Sequence, residues 1–191
     1  MRRKDREMSA DFGLQVIDRA EYGVLTAAGP EGEPPYAVPL SLVRRGQTLY
    51  FHSAKAGAKI DLLPEGAQVR IVFVAEAGVP GLYTPEEARE FLESGKGASF
   101  ITGKVFTTEY SSAIVTGRIR IVEVLEGKDT EYSLALEAIC EKYVPDMMNF
   151  FELALDTAYT TTKVYAVDIE TIKAKRKKFD ENKEELKWQK D

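Results

Sequence analysis

The sequence predicts a mainly β protein: an antiparallel β-barrel, Greek-key-like in its connections, with flanking helices. Three observations point there. About seven segments show the strand pattern of alternating or continuous apolar residues. Most are joined by short turns rich in Gly and Pro. Helical patterns are few and fall as inserts, instead of following every strand as a parallel βαβ sheet would require. Closing such strands into a barrel removes edges they would otherwise expose.

Taken in order, Ser9 to Ala20 reads as a first helix, with Ser9 as N-cap and Phe12, Val16 and Ile17 on one face. Tyr22 to Ala28 is a strand, and Gly29 to Pro34 a turn cluster. Pro35 to Val43 is a second strand. Pro39 lies inside it, so the strand must be at an edge or bulged there, because proline has no N–H for a ladder. Arg44 to Gln47 turns the chain into a third strand, Thr48 to Ser53. These three strands read as a meander.

Gly57 to Leu63 is a short helical turn stopped by Pro64, and Ala67 to Ala75 is a fourth strand. An excursion follows, with a helical insert over about residues 79–98. Thr84-Pro85-Glu86-Glu87 is a strong helix start, combining a capping box with Pro at the first position. That helix runs to Ser94 and stops at Gly95. Phe100 to Thr108 and Ser111 to Leu125 read as two further strands. In the second, Ile119 and Ile121 alternate with Arg118 and Arg120. Asp129 is placed to cap a helix through Tyr143, broken by Pro145, with a short helix over Asn149 to Ala158. Thr162 to Ile169 is the last strand. The organisation is thus a charged arm (1–8), a barrel domain (9–170) and a charged, helix-prone tail (171–191).

Composition bounds the function. The chain has 191 residues, 44% hydrophobic and 30% charged, with a net charge of -5. That is ordinary globular composition with enough chain for a core, and it is no basic nucleic-acid coat. Cys140 is the single cysteine, so neither an intramolecular disulfide nor a cysteine metal cluster can form. The arm lacks the apolar stretch of a signal peptide, and no apolar run approaches the ~18 residues of a membrane span. The expectation is a soluble cytoplasmic protein with no nucleic acid and no membrane among its partners.

The sequence has no Gly-rich dinucleotide fingerprint, no P-loop and no HExxH, and its one histidine leaves metal and nucleophile chemistry few candidates. The carboxylates read as solvated faces, and no metal site is expected. The informative segment is Phe51 to Asp61 (FHSAKAGAKID). A strand delivers His52 and Ser53 at its end, a small-residue loop carries Lys55, and Lys59 opens a short helix. Free N–H groups, a hydroxyl and ammonium groups suit a phosphate. On spacing alone the plainer reading is favoured: a surface loop with solvated lysines and a histidine packed at a strand end.

Elsewhere, Tyr132, Tyr143, Phe150 and Phe151 read as core or dimer contacts, Met147 and Met148 as fillers of core gaps, and Cys140 as a small apolar residue within its helix. The basic run KAKRKK, Lys173 to Lys178, reads as a solvated terminal helix, because acidic residues follow at once.

Three stretches, in order and at compatible spacing, carry a family resemblance: GVLTAAGPEGEPPYAVPLSLV, LYFHSAKAGAKID, and EYSSAIVTGRIRIVE followed by a helix ending EKYVP. With the opening MRRKDREM, they resemble the pyridoxamine 5'-phosphate oxidase-like flavoproteins, and within them the nitroimidazole-resistance group. The insert looks longer than is usual in that group. The resemblance implies an FMN-binding split barrel, a homodimer with flavin sites at its interface. Lys59 would pair with the FMN phosphate, helped by Ser53 and Lys55. Pro39, Leu40, Ser41 and Leu42 would line the ring system, partly through backbone atoms. His52 would lie beside the flavin, as a tentative catalytic residue. Tyr110, Ser111 and Ser112 would approach from the long strand, from the other protomer. FAD and haem are the alternative cofactors for the same cleft.

The function so implied is that of an oxidoreductase passing electrons from a reduced flavin to a small acceptor, with nitroaromatics among the candidates. The alternative is a flavin- or small-ligand-binding module for sensing or storage, without turnover.

Overall fold

A computed structural model describes residues 3–95 and 97–188. Met1 and Arg2 of the arm, Lys96 of the insert, and residues 189–191 of the tail lie outside the described residues. Eight strands form one antiparallel sheet: β1 (Glu7–Met8), β2 (Gly23–Ala27), β3 (Tyr36–Leu40), β4 (Val43–Arg45), β5 (Thr48–Ala54), β6 (Gln68–Gly78), β7 (Glu109–Ile121) and β8 (Thr162–Lys177). The helices are α1 (Ala10–Arg19), α2 (Ala58–Leu62), α3 (Pro85–Glu93), α4 (Gly97–Phe100), α5 (Glu131–Tyr143) and α6 (Phe151–Thr161).

Strand order is β3-β2-β6-β7-β8-β5-β4, with β1 pairing the far half of β8. The two ends of this path, β3 and β4, are consecutive in the chain and separated only by Ser41 and Leu42. Three Cα–Cα steps span at most about 11 Å, so the sheet must curl until its ends nearly meet. The barrel is closed by the chain and not by a ladder. Among the described residues no pairing joins β3 to β4, and that is the correction to a fully closed barrel. Pro39 sits on β3, opposite Val24, on an edge strand as expected.

Inward residues of every long strand fill one core, including Leu25, Leu49, Phe51, Ile71, Phe73, Val115, Ile119, Tyr165 and Val167, closed at one end by Val16 and Ile17 of α1. A second core lies outside the barrel wall. There α5 and α6 bring Tyr132, Leu136, Ile139 and Leu155 against Val43, Tyr50, Val164 and Ala166. Helix starts follow local chemistry. The Ser9 hydroxyl accepts from the Phe12 N–H, and Thr84 and Glu87 form a reciprocal capping box. Thr130, and not Asp129, caps α5.

Three segments depart from expectation. The strand expected over Phe100 to Thr108 is helical, α4 running into a wide turn over Ile101–Val105. Phe100 packs there on Tyr83 and Phe91, with ring centroids 5.5 and 4.5 Å away, and tertiary packing overrides β-propensity. The last strand does not end at Ile169 but continues through the basic run to Lys177. Ile172 and Ala174 face α1, where a Cβ at Gly13 would lie 2.5 Å from Ile172, so only glycine allows the approach. Finally, Met147 is 59% exposed and does not fill the core.

Candidate functional site

β5 points Leu49, Phe51 and Ser53 into the barrel and His52 and Ala54 outward. Its hairpin register with β4 pairs Val43 with Tyr50. Ser41 is exposed and lies outside both flanking ladders, while Leu40 and Leu42 turn their side chains into the core. Leu40 and Leu42 therefore present only backbone to a ligand outside the barrel.

His52 is exposed, with enough wall around it that desolvation holds its imidazole below the usual histidine range. Burial thus favours the neutral imidazole. Among the described residues the side chains of His52 and Lys59 have no hydrogen-bond or ion-pair partner. Lys59 stands on α2, just after Gly57, whose φ of 106° suits glycine. Lys55 is committed elsewhere: its Nζ donates to the Tyr159 carbonyl at 3.0 Å. Ser53 is buried and its hydroxyl donates to the Ala54 carbonyl at 2.8 Å. Of the residues expected to grip a phosphate, Lys59 is the cation whose side chain is left unengaged.

Tyr110, Ser111 and Ser112 lie at the other end of the sheet. They open β7, whereas Ile121, which pairs with Tyr165 beside the His52 region, closes it. Eight residues of strand, Ala113 to Arg120, lie between Ser112 and Ile121, a separation of about 30 Å along the strand. One chain does not bring them together. Ser111 is buried, and its hydroxyl donates to Glu76 Oε2 at 3.1 Å. Glu76 has φ 55° at a bulge of β6 and faces Arg19 at 3.7 Å.

Two features of this region escaped the sequence reading. Tyr165 on β8 is fully buried, and its hydroxyl has no partner among the described residues. Lys142 and Tyr143, in the EKYVP stretch, both donate to the Leu42 carbonyl, at 3.0 and 2.8 Å. Only the motif signalled the second feature, and nothing local signalled the first. Cys140 is partly buried near the end of α5, and burial pushes its thiol up, away from nucleophile chemistry. No group of side chains among the described residues could hold a metal ion, and no helix among them is long and apolar enough to cross a membrane.

Residues 11–83 match the family model described as pyridoxamine 5'-phosphate oxidase. That span contains β2 to β5, the Pro39–Leu42 stretch and Lys59, and it is the family to which the motifs pointed. No curated protein matches the chain in sequence. Among solved structures, a candidate 5-nitroimidazole antibiotic resistance protein from Bacteroides thetaiotaomicron is 20% identical, over 89% of this chain and 86% of that one, with a TM-score of 0.61. An FAD and heme binding protein from Mycobacterium smegmatis is 17% identical, over 90% and 73%, with a TM-score of 0.64. An FAD-binding protein from Mesorhizobium loti is 17% identical, over 90% and 95%, with a TM-score of 0.53. At these identities the likeness is one of fold: the chain is a split β-barrel with flanking helices.

Proposed function

We propose that this chain binds FMN between two copies of itself and works as an oxidoreductase, passing electrons to a small acceptor, with nitroaromatics as one candidate class. The observation that carries the reading is that exposed Ser41, exposed His52 and unpaired Lys59 all fall within residues 11–83, the span that matches the family model.

The residues present fit a flavin. Lys59 offers an uncompensated cation for a phosphate. Pro39, with no N–H, and Ser41, outside the ladders, leave a backbone stretch free to run beside a flat ring. In its neutral form, which burial favours, His52 would donate from one ring nitrogen and accept at the other, and so hold a proton beside a ring heteroatom. When bound, a flavin carries the electrons itself, which accounts for a site with no acid–base pair or nucleophile. The protein then binds, orients and shields.

The separation of His52 from Tyr110–Ser112 supports a dimer. If both groups touch one flavin, they come from different copies related by a two-fold axis. A cytoplasmic location belongs to the same proposal.

The test is direct. The purified chain is titrated with FMN and with FAD while visible absorbance and light scattering are recorded, then a nicotinamide cofactor and an acceptor are added. Flavin bands on a dimer, bleached by the donor and restored by the acceptor, support the enzyme. Binding without bleaching by any donor favours the sensing or storage module. A monomer holding flavin tightly removes the interface, and no binding of either flavin removes the proposal.

A further inference from the structure

Among the described residues, Ser41 and Leu42 carry the chain across the break between the two edge strands, where no ladder joins β3 to β4. β3 ends at Leu40, paired with Gly23 at one end of the sheet, and β4 begins at Val43, paired with Tyr50 at the other. Backbone polar groups in such a gap need partners from elsewhere. The Leu42 carbonyl finds two: Lys142 Nζ at 3.0 Å and Tyr143 Oη at 2.8 Å. The same Lys142 amine lies 3.4 Å from the Ile17 carbonyl of α1. The end of α5 is thereby fastened to the gap and to α1 together.

The choice of a lysine is informative. Its ammonium is half-buried and makes no ion pair among the described residues. The nearby Asp18 carboxylate is taken by Arg44, at 2.9 and 2.5 Å. Desolvating a charge only to bind carbonyls is costly, and a neutral donor would hold a carbonyl without that cost. What the ammonium adds is a positive charge at the Leu42 carbonyl, one residue from Ser41.

Resting on the flavin reading above, we infer that Lys142 and Tyr143 are positioning residues for the cofactor. They fix the Leu42 carbonyl towards α5, so that the Pro39–Leu42 backbone is held rigid beside the ring. The Lys142 charge favours the reduced, anionic flavin.

The test uses the full-length chain with Lys142→Met, Lys142→Arg and Tyr143→Phe. Three readouts are taken: amide exchange at Leu42 and Val43 without flavin, FMN affinity by fluorescence quenching, and the midpoint potential of bound FMN. Faster exchange and about tenfold weaker FMN binding are expected for Lys142→Met and, to a lesser degree, Tyr143→Phe, the loss of one hydrogen bond's worth. The midpoint should move negative in Lys142→Met alone, and Lys142→Arg, which keeps donors and charge, should restore all three. Tyr143→Phe is isosteric, so it reports even if Lys142→Met folds poorly. Unchanged exchange in both Lys142→Met and Tyr143→Phe overturns the clamp. Faster exchange with unchanged affinity and midpoint reduces the pair to a structural role and overturns the inference. Failure of the wild-type chain to bind FMN overturns the flavin reading instead, and the exchange readout still decides the clamp.

Discussion

The ring of Tyr165 lies parallel to that of Phe51, with centroids 4.8 Å apart and planes 4° from each other. The two residues face each other across the β5–β8 ladder, inside the barrel. Stacking fixes the tyrosine ring, with its hydroxyl near Ser53 but without hydrogen-bond geometry to it. Burial pushes its phenol up, and nearby Ser53 offsets part of that. A buried hydroxyl without a partner costs about 1–3 kcal/mol in lost hydration.

Tyr165→Phe is therefore expected to leave the fold intact and raise stability by about 1 kcal/mol, as it removes the cost and keeps the stack. Urea unfolding of the two proteins without ligand measures this. A clear loss of stability would mean that the hydroxyl is satisfied, for instance by a buried water.

A second prediction concerns the tail. Glu185 accepts from Arg6 at 2.6 and 3.0 Å and pairs with Lys187 at 2.8 Å, while Lys187 also reaches Asp5. Burial raises the Glu185 pKa, but Arg6 and Lys187 together outweigh it and hold the carboxyl down to about 2, against 4.5. Because the folded value is the lower one, the carboxylate's stabilisation is complete above about pH 4.5 and fades as pH falls towards 2. Trp188, the only tryptophan, donates its backbone N–H to the Asp5 carbonyl beside this cluster. Its emission should shift red across that acid range. Glu185→Gln should show the shift already at neutral pH, at a cost of about 1 kcal/mol. An emission maximum that is flat with pH and unaltered by Glu185→Gln would show that these contacts do not hold the tail.

What the sequence made legible follows the range of each interaction. Ser9 and the Thr84–Glu87 capping box are local, so three or four residues suffice to read them. Pro39 announced an edge strand because its missing N–H is a local fact with a tertiary consequence. The break at Ser41–Leu42 was not legible, since it exists only because β3 and β4 belong to opposite ends of a curled sheet. The basic run looked helical by composition. It is a strand because Ile172 and Ala174 meet α1, a contact some 160 residues away in sequence. The same holds at the site. His52, Ser53 and Lys59 sit in one stretch and could be singled out together. Lys142, Tyr143 and Tyr165 come from distant segments, and only the packed barrel shows what they face.

Gly117 tests the bulge that bends β7 against β8. The register shifts between Thr116 and Gly117, and a Cβ there would lie 2.4 Å from the Asp168 carbonyl oxygen and 2.8 Å from Val167 Cγ1. A backbone oxygen within a ladder cannot step aside as a side chain can. Gly117→Ala should cost about 1–3 kcal/mol, the usual range for overpacking. Gly103→Ala, where a Cβ meets nothing within 4 Å, is the control and should be neutral. Equal melting temperatures for Gly117→Ala and the wild type would show that the sheet yields at this point.

The last prediction tests the phosphate site. Lys59 follows the small-residue loop, and no carboxylate among the described residues pairs with it. An FMN phosphate beside it would carry close to two negative charges and would need a cation. One charge-assisted hydrogen bond is worth about 1.5–3 kcal/mol, or roughly a tenfold to hundredfold change in affinity. Lys59→Ala should weaken FMN binding by that order and riboflavin binding far less, because riboflavin lacks the phosphate. Lys55→Ala, whose amine is already spent on the Tyr159 carbonyl, should affect FMN less than Lys59→Ala does. The contrast between ligands is the decisive quantity, since a folding defect weakens both alike, and the contrast between lysines reports which cation the phosphate meets. Equal losses for FMN and riboflavin in Lys59→Ala, or none for either, would move the phosphate away from α2. A larger loss in Lys55→Ala would mean that the loop re-forms around the ligand and releases Lys55 from α6.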